Sequence, residues 1–130
     1  MFGKQEDKKV SKLNFKLFIN KLGFDKIYNY YGLVEQIGSI FIECNNGNFH
    51  TSCFSDIIIR DKFLKIQKNK KSGIVQLISL LPTSYPGFSI LTQDEGIING
   101  EDDCKCGLKG KYFKIFGRVK KAELRGCSNV

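Results

Sequence analysis

The sequence predicts an α+β protein: one N-terminal helix followed by a mainly antiparallel β region. Three observations predict it. Apolar residues recur at helical spacing near the start, and from residue 48 onward they fall into short runs broken by Gly, Asn or Pro. The third is size: 130 residues, 42% of them hydrophobic, are enough to bury one ordinary core.

Each element follows in order. "VSKLNFKLFINKL" (10–22) sets Val10, Leu13, Leu17 and Phe18 on one helical face, and Gly23 stands where a C-cap is expected. "FDKIYNYYG" (24–32) reads as a short strand entering a glycine turn, and "LVEQIGSIF" (33–41) as a helical turn followed by extended chain. Strands are expected in "FHTSCFSDIIIRD", "KFLKIQ", "GIVQLISLL", "FSILTQDEGII" and "KYFKIFGRV", with "KNKKSG" as a turn. No repeat or low-complexity linker interrupts them.

Composition narrows the function classes. Eleven phenylalanines and no tryptophan point to a Phe- and Ile-rich core. No apolar run approaches the ~20 residues of a membrane helix. The opening "MFGKQEDKKVSK" has no apolar segment of the secretory kind, so a cytoplasmic protein is expected. The net charge of +8 comes mostly from lysines spread along the chain. The densest cluster, "KFLKIQKNKKSG" (62–73), reads as a solvated hairpin, and nucleic-acid binding is not expected. A basic surface facing an anionic nucleotide or acyl phosphate fits the same charge.

The five cysteines are Cys44, Cys53, Cys104, Cys106 and Cys127, and His50 is the only histidine. Without a signal peptide they suggest thiols or metal rather than a disulfide framework. Cys44 and His50 flank five residues containing "NNGN", and Cys104 and Cys106 form a C-x-C pair before Gly107. Two such pairs can close into a tetrahedral Cys₃His zinc site. The alternative is four unconnected side chains, with His50 in a β-turn. Cys53 can replace one ligand, but "TSCFSD" reads as strand, where cysteine is commonly a small core residue.

Two further stretches carry chemistry. In "YNYYGLVEQ" (28–36) an aromatic ring can stack on a base while Glu35 reaches a metal ion; tyrosines at a core edge and a solvated Glu35 are the plainer reading. In "GRVKKAELRGC" (117–127) Arg118 can fork onto hydroxyls or phosphate. Arg125 beside Cys127 favours a thiolate near the end of the chain, against the reading of an idle tail cysteine.

Taken in order, "YNYYGLVEQIGSIF" and "EC", "GNFH", "SYPGFSILTQDEG", "CKCGLKG" and "FGRVKKAELRGC" resemble the C-terminal part of an adenylate-forming synthetase. Within that superfamily they are most similar to acyl-protein synthetases of the LuxE type, relatives of phenylacetate–CoA ligases. The resemblance runs from about Phe24 to the last residue.

The resemblance implies a fold and a set of roles. The fold is the C-terminal piece of the synthetase: residues 1–23 as an N-terminal helix, 24–116 as adenylation domain, and 117–130 as hinge and acyl-acceptor tail. Tyr31 and Gly32 form the adenine wall of ATP or AMP, and Glu35 reaches Mg²⁺. The usual threonine before that glutamate is Val34 here. Asp94 and Arg118 hold the ribose, Lys120 lies at the hinge, and Cys127 accepts the acyl group. Cys44, His50, Cys104 and Cys106 match the zinc ligands of the phenylacetate-ligase branch. The substrate class is a fatty acid or other carboxylic acid, with an acyl-reductase or acyl-carrier as partner. A Ser/Thr/Gly-rich phosphate loop upstream of the first motif is missing, so the expectation is a fragment or split half, its N-terminal half a separate chain, that does not adenylate alone. The second reading is a zinc-stabilised binding or assembly module without catalysis.

Overall fold

A computed structural model describes residues 12–24 and 28–119. The chain divides into two compact units, one containing helix α1 (Lys12–Lys21) and the other all seven strands. Val10, Lys120 and Cys127 lie outside the described residues.

Helix α1 stops where the sequence puts Gly23. Gly23 adopts φ 79°, its N–H donates to Asn20 O at 3.1 Å, and the Phe24 N–H donates to Ile19 O at 3.4 Å. These two bonds satisfy carbonyls that the last turn leaves open, and only glycine takes that backbone angle without steric cost.

The β unit holds two sheets. Strands β1 (Tyr30–Tyr31) and β2 (Phe41–Ile42) form an antiparallel pair. Strands β3 (Phe49–His50), β4 (Ser55–Arg60), β5 (Ser72–Ser79), β6 (Ser89–Glu101) and β7 (Lys111–Arg118) form a second sheet in the order β3-β7-β6-β5-β4, antiparallel throughout. The α+β class is therefore as the sequence predicts.

Alternation explains the core. Ile57 and Ile59 of β4 and Val75 and Leu77 of β5 point to one face and are fully buried, while their neighbours are only partly covered. Phe41, Ile98 and Phe113 complete this core, with Tyr31, Leu33, Phe49 and Ile115 packed on it. Phe113 lies edge-on to Phe41, centroids 5.3 Å apart, and Phe49 lies tilted at 5.7 Å. Of the eleven phenylalanines, among the described residues only Phe41, Phe49 and Phe113 gather here, under the β3–β7 end of the sheet. Phe18, Phe24, Phe54, Phe63, Phe88 and Phe116 are exposed, so the core is richer in Ile, Val and Leu than composition suggests.

Two local expectations are corrected. "KFLKIQ" is a turn with a single bridge from Ile66 to Arg60, and Phe63, Leu64 and Ile66 are exposed. Asp61 closes it: its Oδ1 accepts from the N–H groups of Phe63 at 2.8 Å and Lys65 at 2.9 Å, and Leu64 takes φ 64°. A carboxylate that bonds its own downstream backbone competes with strand pairing. Cys53 is exposed in a turn before β4, not a strand residue in the core.

Candidate functional site

Two glycine turns bring the cysteines together. After β2, Glu43 bridges to Phe49, the Cys44 N–H donates to Asn48 O at 2.8 Å, and the Gly47 N–H donates to Cys44 O at 2.9 Å. In the β6–β7 connection the Gly107 N–H donates to Cys104 O at 3.0 Å. Gly47 and Gly107 both take left-handed angles, φ 70° and 86°, so each cysteine starts a tight turn that a side chain at the glycine would strain. Asp102 closes the second loop, its N–H donating to Gly110 O at 3.1 Å and its Oδ1 accepting from the Gly110 N–H at 2.8 Å. His50 pairs with Tyr112 across β3–β7, and the two rings stack with centroids 5.8 Å apart.

The ligand atoms of Cys44, His50, Cys104 and Cys106 all lie within 4.8 Å of one another, the one such group among the described residues. A tetrahedral Zn²⁺ with ligands at about 2.0–2.3 Å sets them roughly 3.5–4 Å apart, so the arrangement suits that ion. Cys106 Sγ and His50 Nε2 are 3.3 Å apart, and His50 Nδ1 is buried without a hydrogen-bond partner. Three thiols in so small a space cannot all ionise unaided. Burial pushes the Cys104 thiol up, but hydrogen bonds from the Cys106 backbone and from the Cys106, His50 and Cys44 side chains outweigh it and bring it down to about 6. Burial, then its cysteine neighbours, push Cys106 up instead. A divalent cation removes this competition, because every thiolate then faces positive charge. Three sulfurs and one imidazole leave no open position, so a bound ion would be structural. Cys53 takes no part in this group.

Tyr31, Asp94 and Arg118 gather at the opposite end of the β6–β7 hairpin. The Tyr31 hydroxyl donates to Asp94 Oδ2 at 2.7 Å. Asp94 stands opposite Arg118 in the β6–β7 register. Thr92 fixes the strand there, its Oγ1 donating to Val75 O at 2.9 Å and accepting from the Asp94 N–H at 3.0 Å. Burial pushes the Tyr31 hydroxyl up, and the Asp94 carboxylate and then Glu35 push it the same way. Glu35 is exposed, and a Cβ on Gly32 would sit 3.1 Å from Ser39 O. The Tyr31 ring contacts Phe41, Phe49 and Phe113. Tyr31, Asp94 and Arg118 are thus brought together, with Glu35 within electrostatic reach of Tyr31. From Tyr112, beside His50, to Arg118 is six residues of β7, about 20 Å of strand.

A family model described as acyl-protein synthetase, LuxE, matches residues 2–130. The chain belongs to this family. No curated protein and no solved structure matches it.

In this LuxE-family chain some supporting residues escape a sequence reading. Gln36 is 1% exposed, and its Nε2 donates to Gly87 O at 2.7 Å, fastening the β1–β2 loop to the β5–β6 connection. Asn48 lies beside Cys104 and bonds Asn99. Both look like ordinary loop polars in sequence, since nothing local marks a buried amide. No helix among the described residues is long and apolar enough to cross a membrane.

Proposed function

We propose that the chain is the C-terminal part of a fatty acyl-protein synthetase, in which Tyr31, Gly32, Asp94 and Arg118 hold the nucleotide and Cys127 takes the acyl group. Supporting this is the family match over 2–130 together with the Tyr31–Asp94 bond beside Arg118, which gathers family-motif residues from three parts of the sequence.

The chemistry balances in two steps. A carboxylate oxygen of the fatty acid attacks the α-phosphorus of ATP and pyrophosphate leaves; Glu35 would hold a Mg²⁺, which would offset phosphate charge. The Cys127 thiolate then attacks the acyl carbonyl carbon, a thioester forms, and AMP departs with the electron pair of the broken C–O bond. Residues 117–130, with Lys120 at the hinge, carry the acceptor toward the adenylate. Cys44, His50, Cys104 and Cys106 would hold a structural Zn²⁺, which would fix the loop at the far end and take no part in either step. An upstream half supplies the phosphate loop, and an acyl-reductase receives the product.

The test is to incubate the protein with an acyl-adenylate and read intact mass. A single acyl adduct that disappears in Cys127→Ser is expected. An adduct indifferent to that substitution would remove Cys127 from the pathway. The isolated chain is expected to show no carboxylate-dependent ATP–pyrophosphate exchange.

A further inference from the structure

We propose that Asn48, held by Asn99, is a positioning residue for the Cys104 thiolate in the metal centre; the proposal rests on the reading of Cys44, His50, Cys104 and Cys106 as a metal site. Three thiolates, a neutral imidazole and a divalent ion carry one net negative charge, and that charge needs hydrogen-bond donors around the sulfurs. Cys44 and Cys106 are partly exposed and can draw on water. Cys104 is buried, 8% exposed, so its sulfur depends on donors from the protein.

Asn48 is such a donor. Its side chain is itself buried, and its Nδ2 lies 3.9 Å from Cys104 Sγ, within reach of an N–H···S bond, and 3.4 Å from Asn46 O. Its Oδ1 accepts from Asn99 Nδ2 at 2.9 Å. With the oxygen taken up by a donor from β6, the amide cannot turn that oxygen toward sulfur without losing a partly buried hydrogen bond. Asn99 touches no ligand and acts only through Asn48. The pair joins the β2–β3 turn, the C-terminal end of β6 and the C-x-C loop in one relay.

The experiment measures Zn²⁺ affinity by competition with a chromophoric chelator, and the thiolate-to-metal charge-transfer band of the Co²⁺-loaded protein. Asn48→Leu removes the donor, and its affinity is expected to fall about 10- to 100-fold, the usual effect of losing a partner of a metal ligand. Asn48→Asp adds a negative charge beside a negative centre and is expected to bind more weakly still. Asn99→Leu leaves every contact to the ligands in place, yet should weaken binding in the same direction and move the Co²⁺ band to lower energy. Should Asn48→Leu not fold, Asn99→Leu decides alone. Wild-type affinity and an unmoved band in Asn99→Leu and in a folded Asn48→Leu would overturn the proposal while leaving the metal site standing. A wild-type chain that binds neither ion removes the metal reading, and this proposal with it.

Discussion

Tyr31 and Asp94, 63 positions apart, are joined by a 2.7 Å hydrogen bond from phenol to carboxylate. The bond fastens the short β1–β2 sheet to β6, and the ring of the same tyrosine reaches the aromatic core through Phe41, Phe49 and Phe113.

Removing only the hydroxyl isolates this bond. Tyr31→Phe keeps the ring contacts and leaves a half-buried carboxylate without its donor. A loss of about 1.5–3 kcal/mol is expected, as for a hydrogen bond to a charged group. Chemical denaturation measures it. Asp94→Asn keeps an acceptor and should cost less than Tyr31→Phe; a larger cost would assign the bond a minor role.

Phe113 is fully buried at the centre of the aromatic cluster, edge-on to Phe41 and tilted against Phe49. Phe113→Ala should destabilise by about 3–5 kcal/mol, the transfer and cavity cost of a buried ring. Phe116 of the same strand is exposed, and its alanine variant should stay near wild type on the same denaturation axis.

Metal content tests the cysteine cluster directly. The purified protein should hold about one equivalent of zinc, and Cys104→Ser with Cys106→Ser should lose the metal and unfold at a lower temperature. A chelator should lower the melting temperature of the wild type in the same way. Cys53→Ser, at an exposed turn outside the cluster, should retain the metal. A protein purified without metal, whose melting temperature neither zinc nor chelator moves, would contradict the assignment.

The metal-free protein carries a pH signature of its own. Burial acts to raise Cys104, but the surrounding hydrogen bonds bring it from its ordinary 9.0 down to about 6. A folded-state value below the unfolded one contributes stability above pH 9, and that contribution is lost as pH falls toward 6. Cys106 shifts upward, so its opposite contribution falls above the ordinary thiol range and not in this window. Urea unfolding of chelator-treated protein should therefore show stability rising with pH between these limits, and Cys104→Ser should flatten the rise.

The long strands were legible because period-two alternation survives wherever one face is buried, as at Ile57, Ile59, Val75 and Leu77. The grouping of Cys44, His50, Cys104 and Cys106 was legible because cysteine pairs beside glycine form turns from local chemistry alone. The segment 62–67 misled because its apolar residues imitate a strand, while the decisive group, Asp61, precedes it and acts on the backbone. Gln36, Asn48 and Asn99 were not legible. Their roles arise from partners 41 or more positions away, which no local pattern encodes.

The strand order also orders the folding reaction. β4, β5, β6 and β7 form a meander in which each strand pairs with its successor, whereas β3 must reach β7 across about 60 residues. The cluster of Cys44, His50, Cys104 and Cys106 bridges this distant pairing. A metal ion there ties the last edge of the sheet to a meander that can assemble before it, so the zinc-loaded chain should unfold more slowly while its meander nucleates at the same rate.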